Sequence, residues 1–336
     1  LRAAVNALVI EAPGGSARLG HPGIAAVIAA LAEPGLPEDL DTSQLGDLDA
    51  AELSTAVDWL AGMQILVDPE TEDSDPILAV REPHDVWFHA RSRLGHANGP
   101  LGGTRRFADS GITAIPPVPD RDVQRWQELT APDFRTGPDF YALLDARRSR
   151  RRFGPVSLPQ LSELLWRTVR VMTVNGGDGV PLTRRPVASG GASHDLELFA
   201  AVGRCTGLDS GLWWYDATRH RLGLISADKA VTAGFLLDAG AAMRAQPPPV
   251  TLLMSSRFAR TSWKYEGMAY ALTLKHVGVI MATIGLTAEA LGLAACPLGS
   301  GNSARFEEVA RTHPLAESTV GEIALGGPAT RSGMDR

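Results

Sequence analysis

Five arginines fall between Arg147 and Arg152, with Ser149 among them, in a run that lies between two apolar helical segments. A guanidinium presents two parallel N–H donors, so arginines at this density suit a phosphate group. A charge run is more often a solvated face. The flanking apolar segments argue against that here, because they place the charge inside a folded domain where it must be satisfied. A second candidate is Ser189-Gly190-Gly191-Ala192, directly before a strand-like stretch. Small residues there let backbone N–H and C=O groups reach a ligand, although a tight turn uses the same letters. A third is Lys264-Tyr265, in a chain whose only lysines are Lys229, Lys264 and Lys275. Such a pair reads as a solvated helix start unless its surroundings give it more to do.

These groups need elements to hold them. The stretch from Trp263 to Leu293 contains no Pro and is long enough for one helix of about 45 Å at 1.5 Å per residue. Gly278, Gly285 and Gly292 recur along it every seven residues and share one face, where a backbone or a flat ring can approach. Leu196 to Val202, Pro249 to Ser255 and Ile323 to Gly327 read as strands, and Gly211 to Asp216 with Arg221 to Ile225 as a hairpin. Phe140 to Asp145 reads as a short helix, Asn175 to Gly179 as a loop, and Ala294 to Gly301 as a strand running into a loop.

The first 80 residues form a separate unit: a strand at Ala7 to Ile10, helices at Pro22 to Leu31 and Ala50 to Leu60, the second capped by Asp49, and a strand at Gln64 to Val67. This order is winged-helix-like. Its only cations are Arg2 and Arg18, which excludes nucleic acid and leaves either a peptide or protein partner or simple packing on a neighbouring domain. Residues 81–132, aromatic, basic and Gly-rich without periodicity and ending in Pro116-Pro117-Val118-Pro119, read as a connector, and residues 133–336 as the second domain.

A net charge of -6 and a pI near 5.8 also argue against nucleic acid and anionic membranes as partners. Cys205 and Cys296 lack metal-site spacing, and His84, His89 and His96 read as surface residues, so no metal is expected. The apolar run from Val277 is near membrane length but is interrupted by Gly, Thr and Glu289, so a core or subunit-interface helix is expected. With no signal-like start, the expected location is the cytoplasm.

Taken together, RRSRRRF at Arg147–Phe153, RRPVASGGASHDLEL at Arg184–Leu198, WKY at Trp263–Tyr265, ALGLAACPLG at Ala290–Gly299 and LGGP at Leu325–Pro328 resemble the nitroreductase superfamily. Within it they are most similar to the SagB-type peptide dehydrogenases, which oxidise thiazolines and oxazolines to thiazoles and oxazoles. The resemblance implies an α+β sandwich, an FMN cofactor, a homodimer with flavin at the subunit interface, an azoline-containing precursor peptide as substrate and a cyclodehydratase as partner. It places Arg147, Arg148, Ser149 and Arg151 on the ribityl phosphate, Ser189, Gly190 and Gly191 beside the flavin ring, and Pro297, Leu298 and Gly299 along its other side. Lys264 and Tyr265 match the catalytic Lys-Tyr pair. The chain departs from many nitroreductases in having Ala192 near a usual Asn, and only Arg331 as a loose match for a basic residue after the last strand. Azoline oxidation requires a base for a ring-carbon proton and a hydride acceptor; a desolvated lysine amine can serve as base and a tyrosine can relay or donate the proton. A flavin dehydrogenase acting on a small molecule or carrier-bound intermediate is the second reading.

Overall fold

The computed structural model describes residues 2–4, 7–12, 15–19, 22–30, 49–63, 65–67, 80–94, 100–133, 137–177 and 180–329. It divides into two compact units, residues 1–104 with 265–268, and residues 105–264 with 269–336.

In the first unit, β1 (Arg2–Ala4), β2 (Ala7–Ala12) and β3 (Gly15–Leu19) form an antiparallel sheet. It precedes α1 (Pro22–Ala30) and α2 (Ala50–Gly62). Asp49 caps α2 as expected: its carboxylate accepts the Ala51 and Glu52 N–H groups at 2.9 and 2.8 Å, and Glu52 accepts the Asp49 N–H at 3.0 Å. Such a reciprocal cap typically stabilises a helix by about 1 kcal/mol. Val27 of α1 and Leu53 and Leu60 of α2 form a small core. Two expectations change. Ile65–Val67 is irregular rather than a strand, with Gln64 outside the described residues. The segment read as a connector contains α3 (Pro83–Arg91), whose Pro83 occupies a first-turn position that needs no N–H. His96 lies outside the described residues.

The second unit is built on an antiparallel sheet ordered β12-β13-β11-β8-β9-β10-β4: Ala294–Leu298, Glu317–Pro328, Val250–Arg257, Leu196–Val202, Gly211–Asp216, Arg221–Ser226 and Trp126–Glu128. The short β5 (Phe153–Gly154) pairs with the end of β13. All seven residues of β8 are buried, and period-two alternation divides them between two cores. Leu196, Leu198, Ala200 and Val202 face Leu161, Leu164 and Leu165 of α5 (Leu158–Val169) and Ile280 and Ile284 of α8 (Ala269–Ala290). Phe199 and Ala201 face Phe235 of α6 (Lys229–Met243) and Phe306 of α9 (Ser303–Ala310). The result is a helix–sheet–helix α+β sandwich. Residues 175–177, expected in a loop, belong to a hairpin, β6 (Thr173–Gly177) with β7 (Val180–Arg184).

The long helix differs most from expectation. A short helix, α7 (Ala259–Ser262), precedes a break, and α8 begins only at Ala269. Backbone groups that a continuous helix would use internally are bonded elsewhere: Lys264 C=O accepts from Arg105 N–H at 3.2 Å, and the N–H groups of Gly267 and Met268 donate to Pro100 and Leu101 at 3.3 and 3.4 Å. The glycines play separate roles. No atom lies within 4 Å of a Cβ built at Gly278, Gly285 faces Arg147 Cδ at 3.8 Å, and Gly292, with φ +67°, terminates the helix. By length and composition α8 is apolar enough to cross a membrane, but His276, Ile280, Ile284 and Ala288 bury one face inside the sandwich. Leu274, Gly278 and Ala282 are exposed on another.

Candidate functional site

The turn Gly190–Ala192 between β7 and β8 is held in an unusual conformation. Gly191 (φ 56°), Ala192 (φ 54°) and His194 (φ 44°) all lie in the left-handed region, which costs free energy for Ala and His and persists only where surrounding contacts enforce it. Those contacts come from below. Gly190 N–H donates to His276 Nε2 at 2.7 Å, and Ser189 Oγ accepts the His194 N–H at 2.9 Å. A Cβ on Gly190 would lie 3.1 Å from Leu272 and 3.4 Å from His276 Nε2, so glycine is the residue that fits against α8.

His276 is bonded in turn to Asp195, which is fully buried: Nδ1 stands 2.6 Å from Oδ1, while Thr273 Oγ1 and Ser256 Oγ each donate to Oδ2 at 2.7 Å. Burial alone would raise the Asp195 pKa. The bonds from His276, Thr273 and Ser256 outweigh it and hold the carboxyl below its ordinary range. Neighbouring His194 is pushed down to about 3, first by burial and then by Arg185 and His276. Asp195 was visible only as a letter in the HDLEL run, and His276 carries no local signal. Their pairing depends on α8 crossing the start of β8.

Lys264 reaches this turn from above, its Nζ donating to Gly191 C=O at 3.3 Å. Burial and then the nearby Arg105 lower its pKa. The structure thus brings Ser189, Gly190, Gly191 and Lys264 together. Tyr265 follows Lys264 directly in sequence but groups with the first compact unit.

The arginine run is exposed at the surface, a correction to the expectation that its charge is satisfied within the domain. α4 (Phe140–Ala146) ends at Arg147, and the chain then runs extended. Arg150 alone is committed: its Nη2 meets Glu289 Oε1 at 2.6 Å and its N–H donates to Ala295 C=O at 2.9 Å. Among the described residues, the side chains of Arg147, Arg148 and Arg151 have no ion-pair partner, and Ser149 is exposed beside them. Through Ala295 the run adjoins β12, which ends in exposed Pro297, buried Leu298 and exposed Gly299. Nothing lies within 4 Å of a Cβ built at Gly299, so a planar group can approach its backbone.

One chain does not bring these two groups together. The glycine turn touches α8 at His276 and the arginine run touches it at Gly285. Nine residues are about 2.5 turns, which puts the contacts on roughly opposite faces and about 14 Å apart along the axis. Arg331 lies outside the described residues.

The nitroreductase family model matches residues 144–327, more than half of the 336 residues, and the cyanobactin oxidase ThcOx model matches residues 1–98. The chain is 27% identical over 183 residues to the nitroreductase MJ1384 of Methanocaldococcus jannaschii, covering 53% of this chain and 88% of that one. It is 30% identical over 148 residues to the trifolitoxin-processing protein TfxB of Rhizobium leguminosarum bv. trifolii, covering 42% of this chain and 39% of TfxB. A nitroreductase structure from Ralstonia eutropha superposes with a TM-score of 0.50 at 20% identity, over 69% of this chain and 99% of that one.

Proposed function

From the premise that the chain belongs to the nitroreductase family, we propose that it is an FMN-dependent dehydrogenase of the SagB type, oxidising thiazoline or oxazoline rings in a ribosomally made peptide. The match of residues 1–98 to a cyanobactin oxidase and the similarity to a toxin-processing protein support a peptide as substrate. The first unit is then a docking module for the precursor or for a cyclodehydratase that forms its azolines.

The residues present fit FMN. Exposed Arg147, Arg148 and Arg151 offer charge-assisted donors for a terminal phosphate, with Ser149 adding a hydroxyl. Gly299 gives open access to backbone, and Ser189, Gly190 and Gly191 form a rigid turn suited to the edge of a ring. Because the two groups occupy opposite sides of α8, we assign the site to a homodimer in which each copy supplies one half. The exposed apolar face at Leu274, Gly278 and Ala282 supports such an association.

FMN, when bound, supplies the acceptor for a hydride from the azoline ring. Lys264 acts where it meets the glycine turn: its lowered pKa favours the free amine, which takes the ring-carbon proton. Tyr265 is assigned the donation or relay of a proton, by its match to the family's Lys-Tyr pair. Two electrons and two protons leave the ring as the second ring double bond forms.

The contact of Lys264 Nζ with Gly191 C=O carries this reading, because it unites the proposed base with the ring-facing turn. Anaerobic mixing of the FMN-loaded protein with an azoline peptide tests it. Bleaching of the flavin in a single turnover, with formation of the azole, is expected. A protein that leaves azolines untouched while reducing nitroaromatics with a nicotinamide donor overturns the reading.

A further inference from the structure

We propose that Asp195 and His276 are a buried positioning pair for the proposed flavin site, setting the orientation of the Gly190 and Gly191 peptides. The inference rests on the reading that Ser189–Gly191 borders the flavin ring. Its structural basis is independent of any ligand. Gly190 N–H donates to Nε2, so that nitrogen carries a lone pair and the imidazole proton sits on Nδ1, facing Asp195 at 2.6 Å. The ring cannot flip without setting a C–H against the Gly190 N–H. Asp195 is immobilised by donors from two elements, Thr273 of α8 and Ser256 of β11, and its own C=O accepts the Arg257 N–H at 3.0 Å.

Three bonds to one fully buried carboxylate exceed what packing requires. An apolar cluster could fill the same space without desolvating a charge. What the pair adds is direction. Gly190 N–H is drawn inward, the chain continues into the left-handed residues Gly191 and Ala192, and the Gly191 C=O is turned to where Lys264 Nζ meets it at 3.3 Å. A shift of a few tenths of an ångström in the turn would move both the ring contact and the lysine. Asp195 and His276 therefore act through the turn, in the manner of a carboxylate–histidine support beneath a ligand-binding group.

The test uses His276→Phe, which keeps a ring without the acceptor, and His276→Gln, whose amide oxygen reaches the position of Nε2. Thr273→Val, which removes one donor from Asp195 and leaves the His276–Gly190 contact, serves if His276→Phe does not fold. Amide exchange in the FMN-free protein and FMN affinity by fluorescence quenching are measured for each. The phenylalanine variant should speed exchange at Gly190 by about tenfold or more and weaken FMN by a similar factor, as expected for one lost hydrogen bond to a buried group. Glutamine should recover most of both, and Thr273→Val should show a smaller change of the same sign. Unchanged exchange in the phenylalanine variant overturns the pair as a restraint. Equal losses with glutamine and phenylalanine overturn the acceptor role. Faster exchange with undiminished FMN affinity overturns instead the placement of the flavin at this turn.

Discussion

Arg260 grips the carbonyl oxygen of Ser193 with two nitrogens, Nε at 3.0 Å and Nη2 at 2.6 Å. The same guanidinium donates to Ile115 C=O at 2.8 Å and to Pro181 C=O at 3.2 Å, while Arg257 donates to Pro116 and Pro117 C=O, both at 2.8 Å. Both side chains are buried, and burial followed by the neighbouring Arg257 lowers the Arg260 pKa to about 10. These arginines fasten the proline-rich connector and the glycine turn to the same strand end. Lysine has one nitrogen with three donors where arginine has a planar fork of five, and cannot reproduce the four bonds that Arg260 makes.

Replacing Arg260 by Ala orphans carbonyls of Ser193, Ile115 and Pro181, a loss we place at about 2–4 kcal/mol from the cost of unpaired buried acceptors. Arg260→Lys should recover little of it. Denaturant midpoints measure the loss, and faster proteolytic cleavage within residues 111–119 should accompany it. A variant as stable and protease-resistant as the wild type would show that the connector is held by other contacts.

The sequence made the sandwich legible because its strands are short, β-branched and aromatic, and bounded by turn residues; Leu196–Val202 and Gly211–Asp216 were placed to the residue. The glycine turn and Lys264 were legible as motifs. That they touch was not, since the contact depends on a helix break at residues 263–268 that no helix-breaking proline announces. The absence of Pro carried the expected helix back to Trp263, because backbone bonding to residues 100, 101 and 105 leaves no local trace. The Asp195–His276 pair was hidden for the same reason: a lone histidine on an apolar helix is uninformative until the strand end opposite it is known. Charge misled in the other direction. Flanking helices suggested an enclosed arginine run, yet the extended backbone after Arg147 holds it at the surface.

Arg147 and Arg151 should govern cofactor retention. If they hold the phosphate, replacing both by Ala should yield protein that purifies without FMN, and the wild type should bind FMN far more tightly than riboflavin. Ultrafiltration and visible absorbance measure both. Arg150, paired with Glu289, has a different role: Arg150→Ala should reduce stability while leaving the preference for FMN over riboflavin intact. Stoichiometric FMN in the double variant would move the phosphate site elsewhere.

His194 makes folding acid-sensitive. Its pKa falls from an ordinary 6.5 to about 3 on burial, so the unfolded chain binds the proton more tightly. Stability is therefore full above about pH 6.5 and declines as pH falls toward 3. The total is on the order of a few kcal/mol at 1.36 kcal/mol per pH unit. His194→Asn removes this titration, and asparagine tolerates the left-handed φ of 44° at this position. Melting temperatures between pH 7 and pH 4 should fall less steeply in the variant. Parallel slopes would assign the acid loss to other groups.

The proposed chemistry of Lys264 separates cleanly from binding, because its contact is to the Gly191 carbonyl and not to the arginine run. Lys264→Ala should keep FMN and slow anaerobic flavin reduction by an azoline by about 10²–10⁴-fold, the usual contribution of a general base. Tyr265→Phe should also retain flavin, and its effect on the same step measures how much the hydroxyl adds. The pH profile gives an independent sign. A free amine is the active form, so the rate should rise with pH and level off below the ordinary lysine value of 10.5, since burial and then Arg105 lower the pKa of Lys264. Arg105→Gln removes the second of these influences and should move the profile to higher pH without changing its shape. A Lys264→Ala variant that bleaches at the wild-type rate, or an Arg105→Gln profile displaced to lower pH, would place the base elsewhere on the flavin's surroundings.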